Sequence, residues 1–284
     1  MSPRDPAAPS PSPSNSRLPQ RPLVALPPTA TTLLRCERSD GRAVLTILMS
    51  DVVVSQTLQV VSTTLGFEPN LTLLMQRVGT RTLAAMGIAI DLWASGSSTR
   101  STTISASHMA LGPLVVSCLA PLALTQDLEE ASQELQLRTA AFALFGSLAL
   151  SLMARQEPDL FERVAEVARY RGLPLCEVYR LVSGESVNVA ASRLAQGWDL
   201  PRELSIALSG PGDATLAPHE KAMVSALDLA TTAAQAAAVS LEPWPYICAS
   251  GSIVDFAVVQ ALSMRARRIA SKLQESLPDI AVAA

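Results

Sequence analysis

Apolar positions recur at three- to four-residue steps along most of this 284-residue chain, the spacing that lines up one face of an α-helix. Pro28-Thr29 followed by Ala30, Leu33 and Leu34 predicts a helix start, and Asp40-Gly41 breaks that run. A second short helix is expected from Ala43 to Leu48. Val54, Leu58 and Val61 share a face in a third, with Asp51 or Ser50 as its cap. The β-branched group Val52, Val53, Val54, Val60 and Val61 leans toward strand, but the period stays helical. From Leu71 to Trp93, apolar residues keep that spacing around Gly79, which predicts a break between a short helix and a longer one. A Ser/Thr/Gly-rich loop is expected from Ala94 to Thr103.

Two hydrophobic helices are expected next. The first lies within Ile104 to Leu124, with a break at Gly112-Pro113. The second runs from Leu128 to Met153, where Asp127, Glu129 and Glu130 suit a first turn whose dipole favours negative charge. Glu157-Pro158-Asp159 opens an amphipathic helix with Phe161, Val164 and Ala168 on one face and Gly172 at its end. Further helices are expected from Pro174 to Ser183-Gly184, Val187 to Gly197, Glu203 to Leu208 and Ala217 to Ala238. Pro243-Trp244-Pro245 interrupts, and Ser252 with Asp255 resembles a capping box for a last helix through Leu277. No stretch alternates with period two over strand length. The expected fold class is all-α, a compact multi-helix domain over 26–240. A Pro/Ser-rich tail (1–25) precedes it and a C-terminal helical extension (241–284) follows.

Composition agrees with this. Hydrophobic residues make up 49% and charged residues 17%, enough for a sizeable core. Alanine and leucine dominate and aromatics reach only 4%, which favours helix. The first 28 residues hold nine of the 20 prolines, interleaved with serine and without a continuous apolar run, so a disordered tail and no secretion signal are expected. Cys36, Cys118, Cys176 and Cys248 lie far apart and read as buried thiols. These features predict a cytoplasmic protein. A net charge of −3 gives no basic footprint for nucleic acid. Two segments, 104–124 and 140–154, are strongly apolar. The first contains His108, Gly112, Pro113 and Pro121, the second is short, and neither has flanking Lys/Arg bias. Both are expected to be buried core helices, with no membrane partner.

The block Gly184, Val187, Ala190, Ala191, Leu194, Ala195, Trp198, Leu200 and Pro201 resembles the signature of the HDOD family, the HD-related output domain. The preceding helix from Pro158 to Gly172, the Leu71–Leu83 segment with Gly79, the helix after Asp51 and the opening Leu26-Pro27 are similar to that family in order and spacing. The resemblance spans residues 26–238. Gly79, Gly184, Trp198 and Pro201 are its packing positions. It implies a bacterial signalling module that acts through a protein partner or a nucleotide second messenger.

Metal-dependent relatives of that family hold divalent ions on several His and Asp side chains and activate a water. Here Phe145 and Gly146 stand about where a His-Asp remnant is expected, and Val187 occupies the next histidine position. No His-His pair occurs at Ser209-Gly210, and Tyr179 replaces an expected acid. The chain has only two histidines. His108 lies in an apolar segment and reads as a buried or helix-end residue; His219, after Pro218, reads as a first-turn surface residue. The expectation is therefore a non-catalytic module with no metal and no cofactor. The alternative is a degenerate phosphohydrolase acting on nucleotides. Partial Gly/Ser motifs at 208–212 and 249–252 lack a preceding strand and a histidine base, so hydrolase chemistry is not expected there. Arg265, Arg267, Arg268 and Lys272 on the final helix form a candidate partner-binding set, set against the plainer role of charges near a helix C-terminus. The sequence leaves the partner, the ligand and the oligomeric state open.

Overall fold

The computed structural model describes residues 26–36, 40–96, 106–127, 131–173, 175–195, 200, 202–210, 216–239 and 256–277. Among them every regular element is helical: α1 (Pro28–Arg35), α2 (Gly41–Ser50), α3 (Val52–Thr64), α4 (Leu71–Val78), α5 (Thr80–Gly96), α6 (Ala106–Asp127), α7 (Gln133–Gln156), α8 (Pro158–Arg171), α9 (Leu175–Ser183), α10 (Val187–Leu194), α11 (Arg202–Ser209), α12 (Pro218–Ala236) and α13 (Phe256–Ser276). The tail at 1–25, the Pro243–Pro245 interruption, Cys248, Ser252, Asp255, Trp198 and Pro201 lie outside the described residues.

Short polar side chains set the helix starts by accepting from otherwise unpaired N–H groups. Asp40 accepts from the Arg42 and Ala43 amides, Asn70 from Thr72 and Leu73, and Ser186 from Val189. Asp51, not Ser50, caps α3 by accepting from the Val54 amide. Pro28, Pro158 and Pro218 occupy first helical turns, where a missing N–H costs nothing. Gly79 separates α4 from α5 at φ 80°, and Gly172 ends α8 in the left-handed region at φ 64°, conformations that a Cβ would strain.

Two helices form the centre. α6 packs against α7, α12 and α13, while α7 also meets α5, α10 and α11. The N-terminal helices α1 to α4 gather on α5. α13 lies over α12 and α6, touches α3, and buries Leu262, Ala266, Ile269, Ala270 and Leu273. The core is continuous from Ala30 to Leu277. Cys118 is fully buried within it, and burial pushes its thiol up to about 12. Cys36 and Cys176 are only half-buried, a correction to the expectation of buried thiols.

Three element boundaries also differ from the sequence pattern. α6 runs without a break through Gly112-Pro113 and past Pro121. An interior proline costs about 3 kcal/mol in an isolated helix. Here Leu114, Val115, Val116, Leu119 and Leu124 are buried on nearly every side, and that packing keeps the axis continuous. Asp127 closes α6 and does not open α7, whose first turn is capped by Ser132 and carries Glu134; Glu129 and Glu130 lie outside the described residues. α5 extends to Gly96, past the expected loop start. α7 is long and apolar enough to cross a membrane, yet 94% of its apolar window is buried inside the protein.

Candidate functional site

The positions where the sequence resemblance leads one to expect metal ligands fall on α7, α9, α10 and the end of α11. Phe145, in the middle of α7, is fully buried. Its neighbour Gly146 faces α11 and α12 so closely that an added Cβ would sit 2.6 Å from Leu227 Cδ2 and 3.5 Å from the Ala207 carbonyl oxygen. Val187 opens α10 and is 3% exposed. Asn188 donates from Nδ2 to the Leu208 carbonyl at 3.1 Å, tying α10 to the end of α11 beside Ser209 and Gly210. Tyr179 on α9 is buried, and its phenol is pushed up to about 12, first by burial and then by the charges of Glu157 and Glu185.

The fold thus brings these segments together but furnishes them with apolar contacts. Among the described residues, no group of three or more His, Cys, Asp or Glu side chains is placed to hold a metal ion. A metal centre does not fit the described residues here: their side chains supply no ligand set, and Leu227 fills the space beside Gly146. His219 is exposed in the first turn of α12. His108 falls in the first turn of α6, with its side chain outside the described residues. Gly184 follows α9 at φ 81° and turns the chain toward Ser186, the α10 cap.

The α13 cations divide into two kinds. Arg267 Nε makes a long hydrogen bond to the Ala237 carbonyl at 3.4 Å, at the C-terminus of α12. Lys272 Nζ reaches the Thr63 carbonyl, also at 3.4 Å, in the last turn of α3. Both sit where a helix terminus carries partial negative charge. Arg265 and Arg268 are exposed, and among the described residues no carboxylate pairs with either. Met264, beside them, is 56% exposed.

Two polar arrangements escaped sequence reasoning. Asp91 on α5, 7% exposed, accepts from the Ala30 amide at 2.6 Å at the start of α1. Beside it, Thr29 Oγ1 donates to Asp51 Oδ2 at 2.6 Å. Burial raises the Asp91 pKa above its ordinary value and the Asp51 charge adds to that; the Ala30 and Thr29 amides and Arg155 oppose it. The available signal was a lone acid in the apolar run from Leu71 to Trp93. The second arrangement is Glu220 on α12, which accepts from Arg202 Nε at 2.9 Å and from the Ala217 amide at 2.8 Å. The Arg202 hydrogen bond, then that amide, hold its pKa below the ordinary carboxylate range.

No family profile matches the chain, and no curated protein matches it. Among solved structures, the crystal structure of an HDOD domain protein with unknown function from Geobacter sulfurreducens superposes on it with a TM-score of 0.58. The superposition covers 93% of this chain and 92% of that one at 13% sequence identity. The molecule is an all-helical domain built around α6 and α7. More narrowly, it has an HDOD-like fold.

Proposed function

We propose that this chain is a non-catalytic regulatory module of signal transduction, working in the cytoplasm by binding a protein partner. The observation that carries this reading is the packing at Gly146. About where the family resemblance places a His-Asp pair, Gly146 has no side chain, and a Cβ there would meet Leu227 at 2.6 Å with the Ala207 carbonyl in contact. Phe145 and Val187, buried on the packed helices α7 and α10, support the same reading. Such a protein acts by favouring one state of itself or its partner, through differential binding and without turnover. The burial of α7 favours a location away from the bilayer.

The test is the metal content of the purified chain, with assays on cyclic and linear dinucleotides in the presence of added Mn, Fe or Mg. Sub-stoichiometric metal and no turnover above the blank are expected. Stoichiometric metal together with turnover that a chelator abolishes would overturn the reading.

A further inference from the structure

We propose that the outer face of α13, with Arg265 and Arg268 around Met264, docks an acidic segment of a partner protein that carries an apolar anchor residue. This rests on reading the chain as a partner-binding module and names the surface and the chemistry of what it binds.

Four cations fall within residues 265–272, and the only acid on α13 is Glu275, while the chain as a whole carries net charge −3. The concentration is therefore local. Arg267 and Lys272, though exposed, each reach a carbonyl at the end of α12 or α3, whereas Arg265 and Arg268 make no such contact among the described residues. Among the described residues no carboxylate pairs with either, and α3, which this helix touches, carries no charged residue. Arginine forks match carboxylates bidentately, and arginine and methionine are both enriched at interfaces. Two unpaired guanidinium groups around a half-exposed thioether complement carboxylates flanking one apolar side chain.

The inner face decides between classes of partner. A basic amphipathic helix that lies in a membrane interface does so by inserting its apolar side. Leu262, Ala266, Ile269, Ala270 and Leu273 are buried against α12, α6 and α3, so the apolar stripe of α13 is already occupied, and Phe256 and Met264 are the large apolar side chains it leaves exposed among the described residues. Nucleic acid would need many phosphate contacts to be held, and two outward arginines on an acidic protein supply few.

The probe is a phage library of random peptides about a dozen residues long, panned on the full-length chain; enriched peptides are then synthesised and titrated by fluorescence polarisation. Enrichment of acidic peptides with one large apolar residue is expected. R265E/R268E should weaken their binding by about tenfold or more, M264A should weaken it severalfold, and added salt should weaken it in the wild type. Unchanged circular dichroism and urea midpoint would show that the variants remain folded. No enrichment, enrichment without acidic bias, or an unaltered affinity in the double charge reversal would each overturn the proposal. Two other results would as well: co-sedimentation with phosphatidylglycerol vesicles that the reversal abolishes, or a wild-type dimer that the reversal dissociates. None of these readouts involves metal or turnover, so this proposal and the non-catalytic reading fail separately.

Discussion

A Cβ added to Gly146 would meet Leu227 Cδ2 at 2.6 Å, well inside van der Waals contact, and Leu227 is itself 1% exposed with little room to move. G146A is therefore expected to destabilise the chain by about 1–3 kcal/mol, the usual cost of overpacking a filled interior. L227A alone should cost about 2–5 kcal/mol through the cavity it leaves. The G146A/L227A double variant should cost clearly less than the sum, because the new methyl occupies part of that cavity. Urea unfolding of all four proteins measures the cycle, and strict additivity would show that the two residues do not touch. Asp91 makes a second prediction at this scale. Its folded pKa is raised, so the folded state binds the proton more tightly than the unfolded chain does. The stability that protonated Asp91 contributes is full below 3.8, the unperturbed value, and is lost as pH rises through the raised folded value. D91N keeps an acceptor for the Ala30 amide and has no charge to bury. The wild type should therefore lose stability relative to D91N across that interval; parallel pH profiles would show an ordinary carboxyl at this place.

Several helices in this protein are fixed at their ends as well as along their faces. Asp51 caps α3 and accepts from Thr29 at the start of α1, so one side chain fixes two elements. D51A should cost about 1–2 kcal/mol from the cap, and it should also lower the Asp91 pKa, because the Asp51 charge is one of the causes raising it. NMR titration of the Asp91 carboxyl in D51A measures the second effect separately from the first. Glu220 behaves in the opposite sense. Its folded pKa is depressed, so its contribution is present above the ordinary carboxylate value of 4.5 and is lost as pH falls through the folded value. E220Q should be less stable than the wild type at neutral pH and should converge with it in acid; a constant gap would remove the Arg202 pair as the cause. These ends were legible in the sequence where the signal was local. Asp40, Asp51, Gly79, Pro158 and Gly172 each state a preference within one turn, and each marks a boundary. Gly112-Pro113 stated an equally local preference for a break, and α6 ignores it because neighbours buried around the helix outweigh a lost hydrogen bond. Asp91 could be noticed as a lone acid in an apolar run, but its partner Ala30 lies 61 residues away and no pattern along the chain joins them.

At the scale of the molecule, the sequence pointed to Phe145, Gly146 and Val187 as positions where metal-ligand residues are replaced, and to the α13 cations as a candidate partner-binding set. What the sequence could not supply was their surroundings. It identified Gly146 but not Leu227 against it, and it grouped four α13 cations of which two reach carbonyls at helix termini. The same helix shows how far the core extends. Leu273 is fully buried although it lies near the end of the described chain, where α13 spans α12, α6 and α3. If α13 is one cooperative unit with those helices, L273A should lower stability by about 2–5 kcal/mol, with tryptophan fluorescence and far-UV circular dichroism unfolding together. R265E/R268E, on the opposite face, should stay within about 0.5 kcal/mol of wild type, as exposed substitutions do. A loss below about 1 kcal/mol for L273A, or an early transition confined to one probe, would make α13 an attachment to a core complete without it. The contrast between the two substitutions then assigns the inner face of this helix to stability and leaves its outer face without a part in folding.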